Sequence, residues 1–305
     1  MKYFLQKLLV YTLMFACFAV LVCIVTSLLA HPYMEKKGRG SVIDKNQRLA
    51  SLSSPKIVLV GGSNVCYGIN SQLLQDSLNM PVVDMAINAD VGMLFYFNQV
   101  KPYIHKGDIV IGIPEYGADK RFWGDESMYE LAIAEGKNLQ TITFMQWLRL
   151  PMYLGTIIKD NYNIIFSDKN AIVNNGRKLY DSLGDYEGHH GSTLNLATLK
   201  ENREIGKTGE SIDPAYVSIV KDFDRYCRAR SAMYLESFPV YAKAQYNKSY
   251  TEALIKELEG IHFIGSPQKY LYDYNQLYDS PNHLIFSMRN ERTMKLIEDV
   301  KKEMQ

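Results

Sequence analysis

Ile57-Val58-Leu59-Val60-Gly61-Gly62-Ser63-Asn64-Val65-Cys66-Tyr67-Gly68 is the stretch on which the reading of this chain turns. Ile57 to Val60 is a short continuous apolar run rich in β-branched residues, the pattern of a strand buried on both faces of a sheet. Gly61 and Gly62 then break the run, and the tight turn they allow leaves Ser63 at the carboxyl edge of the strand. Helical spacing follows from Ser71 (Ser-Gln-Leu-Leu-Gln-Asp-Ser-Leu). Ligands of open α/β sheets bind at that edge, so Ser63 is a candidate nucleophile. A serine after two glycines is equally a good helix N-cap, and this stretch alone does not choose between the two. Gly-x-Gly-x-x-Gly and the Gly-Lys-Ser/Thr ending of a phosphate loop are both absent from it.

Outward from this unit, strands and helices alternate. Val82 to Ile87 reads as a second strand, ending in Asn88-Ala89-Asp90-Val91-Gly92 before a helix over Met93–Ile104. Asp108 to Ile113 reads as a third, running into Pro114-Glu115-Tyr116-Gly117. Residues from about Asp119 to Tyr180 are expected to be mostly helical, and Leu183 to Ser211 a long polar loop. A helix over Pro214–Ala229, strands at Ala232–Glu236 and Ile261–Ile264, a helix over Ser249–Leu258 and a basic amphipathic helix through Met304 complete the pattern. Such alternation predicts an α/β domain over 56–305 with a mostly parallel five-stranded sheet.

Upstream, Leu8 to Ala30 lacks any charged side chain. At about 1.5 Å per residue this run crosses a hydrocarbon core of roughly 30 Å, and its apolar residues go all the way round. Residues 1–30 are therefore read as an uncleaved signal anchor, because a cleaved signal has a shorter apolar region and small residues at its cleavage site. Lys2 and Lys7 on one side and Lys36, Lys37 and Arg39 on the other leave its orientation open by charge; a short amino tail ahead of a single anchor usually remains cytoplasmic, which would put the large domain outside. Residues 31–55 are polar, show little periodicity and read as a tether.

Composition narrows the function classes. With 34 basic and 33 acidic groups the net charge is +1, so no nucleic-acid partner is expected. The four cysteines (Cys17, Cys23, Cys66, Cys227) form no Cys-x-x-Cys pair, and Cys66 and Cys227 read as buried small hydrophobes. His189 and His190 are adjacent and point apart on most backbones, which favours a solvated loop over a metal pair. No metal or cofactor is expected. The 22 tyrosines suit either a core or a sugar-stacking surface.

Asp279 and His283 stand just before the last helix, on a loop stiffened by Pro281. A histidine with a nearby carboxylate is what a serine nucleophile needs: the imidazole takes the hydroxyl proton, and the carboxylate orients the ring. With Gly61-Gly62-Ser63-Asn64 and Gly68 at one end, and Asp279, His283, Leu284, Arg292 and Thr293 at the other, the chain resembles the SGNH (GDSL-like) hydrolase superfamily. It looks closest to the membrane-anchored, cell-envelope branch, which Pro114-Glu115-Tyr116 also resembles. The likeness runs from Lys56 to Val300, and only its two end blocks are specific.

The resemblance implies a flavodoxin-like three-layer α/β/α domain with Ser63, His283 and Asp279 as the catalytic triad. It implies O-acetyl esters on envelope or exported polysaccharide as substrates, by hydrolysis or transfer, with a membrane acyl-donor protein as partner for transfer. Asp279 and His283 are four apart, and Glu115-Tyr116 stands where the superfamily places an oxyanion-hole asparagine. The resemblance implies the Ser63 amide as one oxyanion donor and Gly92 (or the Ala89 amide) as the second; Tyr116, Asn88 or Asn64 could replace the asparagine, and Asn64 and Glu115 are the candidate substrate contacts. The missing asparagine, Glu115 and the tyrosine excess motivate the alternative of a catalytically silent SGNH-like domain that binds polysaccharide or scaffolds a modification complex.

Overall fold

A computed structural model describes residues 1–168, 176–192 and 211–304. A four-stranded parallel sheet, ordered β2-β1-β3-β4, is built from β1 (Ile57–Gly61), β2 (Val82–Asp84), β3 (Ile109–Ile113) and β4 (Met233–Glu236). β1 lies between β2 and β3, and all five of its residues are buried. β5 (Tyr241–Ala242) and β6 (Leu271–Tyr272) form a separate parallel pair. The described helices are α1 (Lys2–Met34), α2 (Val42–Ser51), α3 (Ser63–Gly68), α4 (Ser71–Leu78), α5 (Met93–Val100) and α6 (Ala118–Arg121). They continue with α7 (Glu126–Ala134), α8 (Phe144–Phe166), α9 (Pro214–Arg228), α10 (Lys248–Glu257) and α11 (Arg289–Glu303).

Strand alternation sorts the sheet into two faces. Val58, Val60, Val83 and Val110 turn to the side filled by Phe95 and Phe97 of α5 and Val220 and Phe223 of α9. Ile57, Leu59, Val82, Ile109 and Ile111 turn to the other, against Leu74 and Leu78 of α4 and Leu296, Ile297 and Val300 of α11. Helices thus cover both faces, which is why the strands read as unbroken apolar runs.

The structure corrects the expected strand count. Ile261 to Ile264 makes only an isolated parallel bridge, Glu236 to Phe263, with two backbone bonds of 2.9 Å. Gly260 and Gly265, at φ of +92° and +75°, flank the segment and turn the chain out of register before a ladder can extend.

A second correction concerns residues 31–55. α1 continues to Met34, and α2 packs into the domain with Val42, Lys45, Asn46 and Leu49 buried. A lysine and an asparagine occupy half of its inward face, so the segment carries little apolar periodicity although it is helical. The buried Lys45 Nζ donates to the carbonyls of Asp84 at 2.9 Å, Ala86 at 2.8 Å and Gly184 at 2.5 Å. It thereby ties α2 to the end of β2.

α1 is long and apolar enough to cross a membrane, with a mean hydropathy of 2.8 over its most apolar stretch. Its first half is exposed on every side, while Cys23, Ala30 and Met34 are buried against the domain. The principal partner is α8, whose Asn161 Nδ2 donates to Thr26 Oγ1 at 3.2 Å and Ser27 Oγ at 3.0 Å. The expected helical region 119–180 is occupied by α6, α7 and α8, with residues 169–175 outside those described. Residues 193–210 of the expected loop are likewise outside them.

Candidate active site

Ser63 opens α3 directly after β1, with Gly62 at the N-cap position. A Cβ on Gly62 would lie 2.6 Å from Glu115 Oε1 and 2.9 Å from Ala89 Cβ. Only glycine therefore lets the segments after β2 and β3 close on the Ser63 turn. From the far end of the chain, the loop before α11 brings His283 to the same place. Its Nε2 lies 2.8 Å from Ser63 Oγ and its Nδ1 lies 2.6 Å from Asp279 Oδ1. A hydrogen on Nδ1 answers the carboxylate, which leaves Nε2 as the acceptor for the serine proton. Ser63 and Asp279 are half-buried, and the His283 side chain is 15% exposed, so the relay is shielded yet reachable.

The ring of His283 is held from the side as well. Tyr67, one turn after Ser63 on α3, stacks on it with centroids 4.3 Å apart and planes 8° from parallel. Tyr67 in turn stacks on Tyr186 at 4.5 Å, and Tyr186 on His189 at 5.7 Å. Arg289, at the start of α11, anchors the loop carrying Tyr186 and His189. It donates to Asp185 at 2.9 Å, Glu187 at 2.8 Å and the Ile69 carbonyl at 2.7 Å.

His189 is thus buried, contrary to the expected solvated loop, whereas His190 is exposed. Burial and the neighbouring Arg289 push the His189 imidazole down to about 4, so it sits in the stack as a neutral ring. Cys66, three residues from Ser63, is fully buried, and desolvation pushes its thiol well up. That makes it no rival nucleophile. All four cysteines are free thiols, and Cys66 and Cys227 are buried as expected.

Glu115 is the second feature of the site. Its Oε1 accepts from Ser63 Oγ at 3.1 Å and from the Asn64 amide at 3.3 Å, and its Oε2 accepts from Asn282 Nδ2 at 3.4 Å. Arg121 Nη2 stands 3.9 Å from Oε2. A serine hydroxyl carries one hydrogen, so Glu115 and His283 compete for it. A carboxylate gathering N–H donors beside Ser63 also occupies ground where an acyl oxyanion would need those donors.

The remaining expected positions divide. Asn88 borders the cleft beside Ser63, its Oδ1 accepting from the Asp90 amide at 3.0 Å. Gly92 does not offer its amide: the N–H is bonded to the Ala89 carbonyl at 3.1 Å, and the residue is wedged against the backbone of Gly124. Tyr116 turns away into an aromatic group with Tyr241, at 5.1 Å, and Tyr250, at 6.1 Å. Asn64 spends its side chain on the Ile113 carbonyl at 3.2 Å, pinning the turn to the end of β3, and contributes only its amide to the site. Tyr67, Arg121 and Asn282 went unnoticed in the sequence. For Asn282 the signal was present, since it lies between Asp279 and His283 on the stiffened loop.

The cleft over Ser63 has a volume of about 640 Å³. Lys37, Gly38 and Arg39, just past α1, line one side, and Asp160 and Asn163 of α8 line another. Arg39 is ion-paired to Glu130 of α7. Comparison with family models, curated proteins and solved structures finds no match to this chain.

Proposed function

We propose that this chain is a membrane-anchored serine acyl-ester enzyme of the SGNH type, acting outside the cytoplasm. The observation carrying the proposal is the continuous relay from Asp279 through His283 to Ser63 at the carboxyl edge of β1. In this reading Ser63 Oγ attacks the ester carbonyl while His283 Nε2 takes its proton and Asp279 steadies the imidazolium. Collapse of the tetrahedral intermediate breaks the C–O bond, and His283 returns the proton to the leaving alcohol. A water or an acceptor hydroxyl, deprotonated by His283, then removes the acyl group from Ser63. In this reading the oxyanion is taken by the Asn64 amide, which Glu115 otherwise holds, and by the Asn88 carboxamide in the cleft wall, once Glu115 is displaced.

The fold supports the same reading. The order β2-β1-β3-β4 with a parallel bridge beyond β4 is compatible with a flavodoxin-like sheet whose fifth strand has shrunk to one pairing. The resemblance adds the substrate class, O-acyl esters of envelope or exported polysaccharide, and a membrane acyl-donor protein if the reaction is transfer. Fluorophosphonate labelling tests the proposal: the native chain is expected to be labelled and the Ser63→Ala variant not. No labelling of the native chain would overturn it. The second reading, a silent domain that binds polysaccharide, is favoured by one observation, the carboxylate of Glu115 held against Ser63. The same labelling, lost in Ser63→Ala, would eliminate it.

A further inference from the structure

α8 presents an unusual outer face. Phe144, Met145, Leu148, Met152, Tyr162 and Phe166 are each more than half exposed, from 55% for Met145 to 73% for Phe144 and Met152. The opposite face is ordinary: Gln146, Ile157, Asn161 and Ile164 are buried against the domain and α1. An amphipathic helix that turns its aromatic and methionine side chains outward has its apolar stripe on the wrong side for water.

Its neighbour says what covers it. α1 keeps exposed apolar side chains as far as Leu28, at 70%, and Leu29, at 58%. If lipid covers α1 to that point, the same lipid reaches whatever lies beside it, and Asn161 of α8 is hydrogen-bonded at the level of Thr26 and Ser27. We infer that α8 is a second membrane contact, lying partly immersed in the lipid surface beside the spanning helix. The exposed Lys36 and Lys37 follow directly after α1, where an anionic headgroup layer would meet them. α8 also supplies Asp160 and Asn163 to the wall of the Ser63 cleft, so the cleft opens at the lipid surface. On the acyl-ester reading given above, its ester is carried by an amphiphile resident in that membrane.

Tryptophan fluorescence tests the contact in the full chain, reconstituted in phosphatidylcholine vesicles. Trp123 and Trp147 are the only tryptophans, and Trp147 lies on α8. In Trp123→Phe, the remaining Trp147 is expected to be quenched by lipid brominated in the upper acyl chain and shielded from aqueous acrylamide. A tryptophan placed by Met152→Trp in the Trp123→Phe, Trp147→Phe background is expected to behave likewise. Quenching by acrylamide with no effect of brominated lipid would overturn the inference. Shielding from both would also overturn it, by showing that a protein surface such as a second copy covers the helix.

The substrate clause has its own arm. The variant Met145→Lys, Leu148→Lys, Met152→Lys is expected to lose at least tenfold in turnover of a vesicle-embedded ester relative to a soluble aryl acetate. An unchanged ratio would sink the clause. No turnover of the soluble ester by the native chain would refute the enzyme reading and the clause with it, while quenching still decides the membrane contact.

Discussion

On the acyl-ester reading proposed above, replacing Glu115 by glutamine should speed ester hydrolysis. The Glu115 carboxylate lies 3.1 Å from Ser63 Oγ, and its side chain is 6% exposed. An oxyanion forming on the attacked carbonyl is joined through carbon to that same oxygen, and a separation of about 4 Å from Glu115 is taken for the calculation. Two unit charges at about 4 Å repel by about 4 kcal/mol at the effective dielectric typical of protein sites. Arg121, 3.9 Å from the far carboxylate oxygen, offsets part of this. Taking about half as surviving, the substitution removes about 2 kcal/mol from the barrier, or roughly 30-fold in kcat/KM. Glutamine also leaves the serine proton with His283 as its one strong acceptor and adds an N–H donor. The assay is hydrolysis of p-nitrophenyl acetate by native and Glu115→Gln protein, with thermal unfolding to confirm that both are folded. A variant ten times slower than the native chain, and equally stable, would refute the reasoning, because the carboxylate would then be serving the reaction.

Further outcomes follow from other contacts. Tyr67→Ala removes the ring stacked on His283, worth about 1 kcal/mol, and should lower kcat about fivefold, with Tyr67→Phe restoring it. Lys45→Met leaves three buried carbonyls without their donor and should cost about 3 kcal/mol of stability, read as a lower unfolding temperature. Glu236 is fully buried, and desolvation pushes its carboxyl up to about 8. The folded chain then holds a proton that the unfolded chain releases above about 4.3, the ordinary glutamate value. Its contribution is full below that value and is lost as pH rises through about 8, so unfolding temperatures should decline across this window. Glu236→Gln should flatten the decline; an unchanged slope would show that other groups carry it.

The interplay of Lys45 with the acids beneath the site bears on how the relay is held. Asp84 and Asp185 are both fully buried, and desolvation pushes both carboxyls up, with the nearby Asp84 carboxylate adding to the rise of Asp185. Lys45 crosses above the end of β2, Ser71 Oγ donates to Asp185 at 2.5 Å, and Arg289 closes the group from α11. Through Arg289 this polar knot links the start of the last helix to the loop that backs Tyr67. A defect in Lys45 is therefore expected to loosen the His283 stack as well as the fold.

Local patterns in the chain were enough for what depends on near neighbours. The buried strand of Ile57–Val60, the Gly-Gly turn presenting Ser63, the apolar helix at the amino end and the last helix each follow from spacing that a short stretch satisfies by itself. So does the pairing of Asp279 with His283, four residues apart on one stiff loop. Contacts between distant segments were decided only by the tertiary structure, because no local period encodes them. Ser63 and His283 are 220 positions apart, and their 2.8 Å approach depends on α11 packing under the sheet. Glu115 faces Ser63 because Gly62 leaves room for it, whereas Tyr116, next in sequence, turns into an aromatic core. Lys45 and His189 looked solvated because charge and polarity favour water; carbonyls from three strand and loop ends, and a stack of rings, supplied what water would have given.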